Sequence, residues 1–237
     1  MGLTIHYTLS VKNRTTHRFV QDLLKGTRRL ARKIGCAHVG KILHSTETDP
    51  TSPPVFETHP GRERRLVGGP GTHGWFVEVW PGEGCETAKF GVLREWREMP
   101  DKGRGAMRLP HYQTRWRLHW FCKTQYAGEH GWEHFLKCHQ RVIRLLDHWR
   151  EMGVHVKVND EGGYWKSRSE KKLRHELDDY DRLIAGLGGL FKDACDVSDG
   201  RLSVESPIFS YKNFERLEHE GQQECGGRIQ QLHETLV

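Results

Sequence analysis

Long apolar runs are missing from this 237-residue sequence, and no window approaches the roughly 18 to 20 apolar residues of a membrane-spanning helix. Its six cysteines form no Cys-x-x-Cys pair. The first residues, Met-Gly-Leu-Thr-Ile-His, lack the charged segment and apolar stretch of a secretion signal. We therefore expect a soluble protein of a reducing, cytoplasmic compartment, without a membrane partner.

Sequence motifs for common cofactors are also missing. The sequence has no dinucleotide fingerprint, nucleophile elbow or His-Glu-x-x-His motif, and its glycine-rich segment 68–74 lacks the Lys-Ser/Thr of a phosphate-binding loop. His134 and Cys138 lie one helical turn apart, but no second ligand pair with metal-site spacing accompanies them. We therefore predict neither a metal nor a cofactor.

Charge is distributed unevenly along the chain, which has a net charge of +6. Residues 1–174 contain 31 Lys and Arg against 18 Asp and Glu, whereas residues 175–237 contain 6 against 13. A basic body with an acidic tail favours a polyanionic partner for the body. An unevenly charged, solvated surface without such a partner is the alternative.

A strand–helix–strand pattern occurs twice. The order of the segments predicts an α+β fold with a mostly antiparallel sheet and helices on one face, built from duplicated β-α-β units in the ferredoxin-like arrangement. In this alignment Ile5-His6-Tyr7 corresponds to Leu118-His119-Trp120. Chance similarity between two short amphipathic units is the alternative. The predicted segments are strand 3–11, a helix from Thr15 or Thr16 to Gly35 and strand 36–44, then strand 114–125, helix 131–152 and strand 154–158.

The same patterns define the expected organisation of the chain. Residues 1–168 form the duplicated core, with halves at about 1–96 and 111–168. Residues 169–195 form a C-terminal helix that packs on the core. Residues 196–237 form an acidic, extended arm with a marginal helix, and residues 46–74 form a long surface loop.

The strand at 114–125 carries the strongest functional signal. Alternation places its tryptophans with Leu118 and Cys122 on the buried side and its cations on the other. The next strand adds cations to that outer side, and the first strand adds Thr4, His6 and Thr8. The predicted binding residues are Arg115, Arg117, His119, Phe121, Lys123, His155 and Lys157.

A row of cations around one aromatic ring can follow a phosphate backbone while the ring stacks on a base. We therefore predict a nucleic-acid-binding protein, for RNA or single strands, and processing of the bound strand is an additional hypothesis. An ordinary polar sheet surface and a module that binds other proteins remain alternatives.

A second hypothesis is a hydrolase or lyase for a small anionic substrate. Here Glu161 acts as the base, Lys123 stabilises negative charge and His139 supports them. His139 occupies the apolar face of its helix, where the first repeat has Leu23. A buried histidine held by one hydrogen bond is the structural alternative for His139. Such an enzyme requires the three residues to meet around one cavity.

Overall fold

Two central strands follow directly from alternating sequence. In β1 (Thr4–Val11) the residues Ile5, Tyr7 and Leu9 are buried, whereas His6 is exposed. The strand β8 (Trp116–Lys123) alternates in the same way and pairs antiparallel with β1 over its full length. Because side chains on a strand point alternately to opposite faces, the pair has one apolar and one polar face.

The computed structural model describes residues 3–12, 15–45, 56–59, 62–65, 72–98, 110–112, 116–197 and 206–223. The remaining strands are β2 (His38–Ser45), β3 (Phe56–His59), β4 (Arg62–Arg65), β5 (Thr72–Trp80), β6 (Ala88–Glu98), β7 (Pro110–Tyr112) and β9 (His155–Asp160). The helices are α1 (His17–Lys33), α2 (Trp132–Glu151), α3 (Tyr164–Ser167), α4 (Glu170–Val197) and α5 (214–223), with 3-10 helices at Gln125–His130 and Pro207–Ser210.

The sheet order is β2-β5-β6-β8-β1-β9, with antiparallel neighbours throughout and β7 paired to β6. This confirms the α+β fold with a mostly antiparallel sheet. The ferredoxin-like duplication is not confirmed, because β5 and β6 lie between β8 and β2. The predicted loop 46–74 contains the β3–β4 hairpin and the start of β5, so it is not a loop throughout.

The helices α1 and α2 pack on the apolar face of the sheet. Thr16 caps α1, since its Oγ1 accepts a hydrogen bond from the Phe19 amide at 3.2 Å. Leu23 and Trp149 are fully buried in the same core as Leu9. Trp149 Nε1 also donates to Thr27 Oγ1 at 2.9 Å, which joins the two helices. Both helices therefore leave the opposite face of β8, β1 and β9 uncovered by them.

The C-terminal helices extend the core at one end of the sheet. Leu173 and Leu177 of α4 are buried against a cluster that includes Leu3 and Phe135. Residues 206–223 pack on α4 through a further cluster that includes Ile208. The described part of the predicted arm is therefore mostly helical and lies against α4. Among the described residues, no helix has the length and apolar character needed to cross a membrane.

Candidate functional site

Three neighbouring strands present polar residues on the face opposite α1 and α2. His6 of β1 stands between Phe121 of β8 and Asn159 of β9. Thr8 stands between His119 and Lys157 in the next row. We call this surface the open face; its residues are Thr4, His6, Thr8, Ser10, Arg117, His119, Phe121, Lys123, His155, Lys157, Asn159 and Glu161.

Six of the seven predicted binding residues lie on the open face: Arg117, His119, Phe121, Lys123, His155 and Lys157. Arg115 lies outside the described residues. Of the inward positions of the same strand, Leu118 is 4% exposed and Cys122 is fully buried, whereas Trp116 and Trp120 are half-buried. The alternation thus places the predicted residues together, while their role in binding stays a prediction.

A shallow groove of about 430 Å³ crosses the middle of the open face. The groove lies between two rows of cross-strand neighbours. One row is Phe121, His6 and Asn159, and the other is His119, Thr8 and Lys157. Both rows contribute cationic or titratable groups, so an anionic group in the groove would meet several hydrogen-bond donors. The groove is lined by His6, Tyr7, Thr8, His119, Trp120, Phe121, Lys157 and Asn159.

The two histidines of the groove are each oriented by a neighbour. His119 Nδ1 lies 2.8 Å from Thr8 Oγ1. His6 Nε2 lies 3.4 Å from a carboxylate oxygen of Glu161, and that carboxylate also accepts a hydrogen bond from the Thr4 amide at 2.9 Å. Each imidazole is therefore held through one ring nitrogen.

Phe121 offers an aromatic surface at the edge of this groove. Its side chain is 46% exposed, although large apolar side chains are usually buried. Its ring centroid lies 6.0 Å from that of His6 and 5.9 Å from that of Trp120. The ring is thus supported from two sides and keeps area for a ligand to stack on.

The residues of the hydrolase hypothesis do not converge. His139 is fully buried, with Nδ1 3.0 Å from Thr124 Oγ1 and Nε2 3.4 Å from Asp160 Oδ1. Glu161 instead faces His6, and Lys123 Nζ lies 4.7 Å from the ring centroid of Tyr126. Because Asp160 and Glu161 are successive residues at the end of β9, they point to opposite faces. His139 therefore contacts Asp160 in the interior, whereas Glu161 and Lys123 lie on the open face.

Asp160 is a buried carboxylate with several donors. Burial opposes its ionisation, but the hydrogen bond and charge of His139, together with the amides of Trp165 and Gly162, lower the pKa of Asp160 below its ordinary value. The two amides donate at 2.7 Å and 3.0 Å. This arrangement holds the turn after β9 and so fixes where Glu161 stands.

The pair His134 and Cys138 has metal-ligating chemistry but few partners. The Sγ of Cys138 lies 3.5 Å from His134 Nε2. In the part of the chain that the structure describes, no three His, Cys, Asp or Glu residues form a group able to hold a metal. The Cys138 pKa is lowered to about 6 by a hydrogen bond from Cys85 and by the nearby His134 and Arg141.

Sequence reasoning missed two features of the open face. Asn159 enters the groove because β9 extends to Asp160, two residues beyond the predicted strand end. The contact between Thr8 and His119 depends on the antiparallel pairing of β1 with β8, which the alternation of either strand does not specify.

Comparison with known proteins identifies no relative: no protein-family model, curated protein or solved structure matches the chain. The function must therefore be inferred from the geometry of the open face.

Proposed function

We propose that this protein binds single-stranded nucleic acid, RNA above all, across the open face. The observation that carries this proposal is the exposed ring of Phe121 beside a groove lined by His6, His119 and Lys157. Aromatic rings among cations on a sheet surface bind unpaired bases and their phosphates together.

The aromatic ring favours a single strand over a duplex. Bases inside a duplex are stacked on each other and present only their edges in the grooves, so Phe121 cannot stack on them. An unpaired base can turn its face to the ring. Alternate side chains on β8 stand about 6.6 Å apart, which lets Arg117, His119 and Lys123 follow one backbone past Phe121.

Charge supports the same partner. Residues 1–174, which contain the whole sheet, carry 31 Lys and Arg against 18 Asp and Glu. The open face contributes Arg117, Lys123 and Lys157 against the carboxylate of Glu161, and the carboxylate of Glu86 lies beside it at the Lys123 amide. Most of the affinity should therefore come from phosphates and should fall with salt.

We also infer that the two strand–helix–strand segments, β1-α1-β2 and β8-α2-β9, arose by duplication. Their first strands are adjacent in the sheet, and the histidines that the alignment equates, His6 and His119, share the groove. The β5–β6 hairpin would then be an insertion between them.

The binding proposal is tested by measuring the affinity for a labelled, unstructured RNA by fluorescence anisotropy over a series of salt concentrations. We expect log K to fall linearly with log salt, and Lys157→Ala or Lys123→Ala to reduce the slope by about 0.7 each. Phe121→Ala should weaken binding by about 1–3 kcal/mol with an unchanged slope, because stacking releases no counterions.

Lys137→Ala is the matched control, since Lys137 is an exposed lysine on α2 and lies away from the open face. This variant should bind as the wild type does. No binding at low salt, or equal losses in the Lys137, Lys123 and Lys157 variants, would refute the proposal.

A further inference from the structure

The groove of the open face brings together two histidines from different strands, each held in place by another side chain. We propose that the protein cleaves RNA in this groove by general acid–base catalysis, with His119 as the base and His6 as the acid. This activity rests on the proposed function, because the substrate is an RNA strand bound across the open face.

The pairing of β1 with β8 sets the distance between the histidines. His6 stands opposite Phe121, and His119 stands opposite Thr8, two residues further along β1. Diagonal neighbours of this kind have Cβ atoms about 7–8 Å apart or slightly less. A phosphate group can lie between two imidazole rings at this separation, with each ring near a different oxygen.

In each ring one nitrogen is engaged by a neighbouring side chain, which leaves the other nitrogen for the substrate. Thr8 engages His119 through Nδ1, and Glu161 engages His6 through Nε2. Within the described residues, His119 Nε2 and His6 Nδ1 have no hydrogen-bond partner in the protein. A base or acid whose second nitrogen is fixed by a third group is the arrangement that proton transfer in catalysis requires.

The chemistry balances with these groups alone. His119 Nε2 takes the proton of a ribose 2′-hydroxyl, and the 2′-oxygen forms a bond to the adjacent phosphorus. The bond from phosphorus to the 5′-oxygen of the next nucleotide breaks, and that oxygen receives the proton of His6 Nδ1. The products are a 2′,3′-cyclic phosphate and a 5′-hydroxyl end. Lys157, beside Thr8 in the groove, stabilises the negative charge on the non-bridging oxygens.

The substrate class follows from the nucleophile. DNA lacks the 2′-hydroxyl, so it can bind to the open face but cannot be cleaved by this route. Phe121 lies directly opposite His6 and would stack on a base next to the cleaved bond. This position would fix the register of the strand relative to the two histidines.

The test uses the full chain and an end-labelled, unstructured RNA in the presence of EDTA. We expect cleavage that leaves a 2′,3′-cyclic phosphate, and no cleavage at a position where a single deoxyribose is introduced. His6→Ala and His119→Ala should each lower the cleavage rate by about 10²–10⁴-fold. Because both histidines also line the binding groove, each variant should bind an all-deoxy strand somewhat more weakly, with a loss of affinity far smaller than its loss of cleavage rate.

The matched control is His175→Ala, because His175 is an exposed histidine on α4 that pairs with Asp179 and lies outside the open face. It should cleave at the wild-type rate. Purified in the same way, the three variants also report any contaminating ribonuclease, since contamination would give equal rates in all of them.

The pH dependence separates a catalytic role from a structural one. The wild-type kcat/KM should rise and then fall with pH, because one imidazole must be neutral and the other protonated. His119→Ala should remove the acidic limb and His6→Ala the alkaline limb. The groups facing these rings from the neighbouring strands are Thr4, Thr8, Phe121, Lys123, Lys157, Asn159 and Glu161, with Arg117 and His155 in the next row.

Four results would contradict the activity. RNA binding without cleavage would overturn it and leave the binding proposal standing, whereas a lack of RNA binding would overturn both. Cleavage that persists at the wild-type rate in both histidine variants would assign it to a contaminant. Cleavage that EDTA abolishes would require a mechanism other than the one proposed here.

Discussion

Asp160 at the end of β9 positions the residues that follow it, although its own side chain is buried away from the open face. Its carboxylate points to the side covered by α2, while Glu161 points to His6 on the open face. The Asp160 side chain is 1% exposed and accepts the amides of Gly162 and Trp165. A buried carboxylate with several donors is stabilised as the anion, so its hydrogen bonds fix the course of the chain after β9.

We predict that Asp160→Asn lowers the free energy of unfolding at neutral pH by about 1–3 kcal/mol. Because the folded-state pKa of Asp160 lies below its ordinary value of 3.8, its contribution is complete above that pH and is lost as the pH falls through the folded pKa. Urea unfolding of both proteins between about pH 2 and pH 7 checks this, and the difference should shrink at the acidic end.

Asp22→Asn is the control, since Asp22 is 60% exposed on α1. A loss in the Asp160 variant that stays constant down to the lowest pH would contradict the buried-anion interpretation.

The buried state of His139 illustrates what sequence can predict of a single residue. Its place on the apolar side of α2 indicates burial, and the structure has it fully buried, with Nδ1 hydrogen-bonded to Thr124 and Nε2 3.4 Å from Asp160 Oδ1. Its partners Thr124 and Asp160 come from two other elements, and their contact depends on how α2 packs over the strand ends. Helical periodicity does not contain that information.

At the scale of elements, Tyr7 joins β1 to β6 across the intervening strand β8. The phenol of Tyr7 donates to the carbonyl of Lys89 at 2.6 Å and accepts from the amide of Lys89 at 3.0 Å. Between β6 and β8, the register pair within the described residues is Leu93 with Arg117. The Tyr7 hydroxyl therefore satisfies the backbone carbonyl and amide of Lys89, which a neighbouring strand would otherwise have to satisfy.

We predict that Tyr7→Phe lowers the free energy of unfolding by about 2–4 kcal/mol, because it leaves a buried amide and a buried carbonyl without this partner. Chemical denaturation measures the loss. Tyr164→Phe is the matched control: the Tyr164 hydroxyl accepts from Gln140 at a part-buried site, so its loss should stay below about 1 kcal/mol. Equal losses in the two variants would be evidence against the bridging role.

The elements differ in how far the sequence determines them. The bounds of β1, β8, α1 and α2 follow the predicted segments to within about two residues, because alternation, the Thr16 cap and Gly35 mark them locally. The strands that pair with β8 cannot be predicted from its sequence in the same way. Any half-buried strand with the same alternation could form the same backbone hydrogen bonds with it. The β5–β6 pair occupies the place beside β8 that the ferredoxin-like prediction gave to β2.

At the scale of the whole molecule, two successive hydrogen bonds connect the start of β1 to helix α4. The Leu3 amide donates to Gln125 Oε1 at 3.1 Å, and Gln125 Nε2 donates to Asp181 Oδ1 of α4 at 3.1 Å. Asp181 is 7% exposed. Residues 206–223 pack on α4 and also contact the 3-10 helix at Gln125–His130, since Ser210 Oγ donates to Glu129 Oε1 at 2.7 Å.

The contribution of Asp181 to the free energy of unfolding changes with pH in the opposite direction to that of Asp160. Burial raises the pKa of Asp181 from 3.8 to about 6, the nearby Asp178 adds to this, and the hydrogen bond from Gln125 opposes it. The folded protein therefore binds a proton that the unfolded chain releases between these two values. Stability falls as the pH rises through this window, and above it the buried anion carries a constant cost.

Asp181→Asn removes that cost and keeps an oxygen that accepts from Gln125. We predict that the variant gains about 1–2 kcal/mol of unfolding free energy near pH 8 and little near pH 4, so that its stability is flatter than the wild type's between those limits. Urea unfolding at both pH values measures the difference, with Asp22→Asn as the exposed control. A gain of equal size at the two pH values would show that the amide packs better for reasons unrelated to charge. A loss at both would show that the carboxylate of Asp181 stabilises the docking of α4 as an anion.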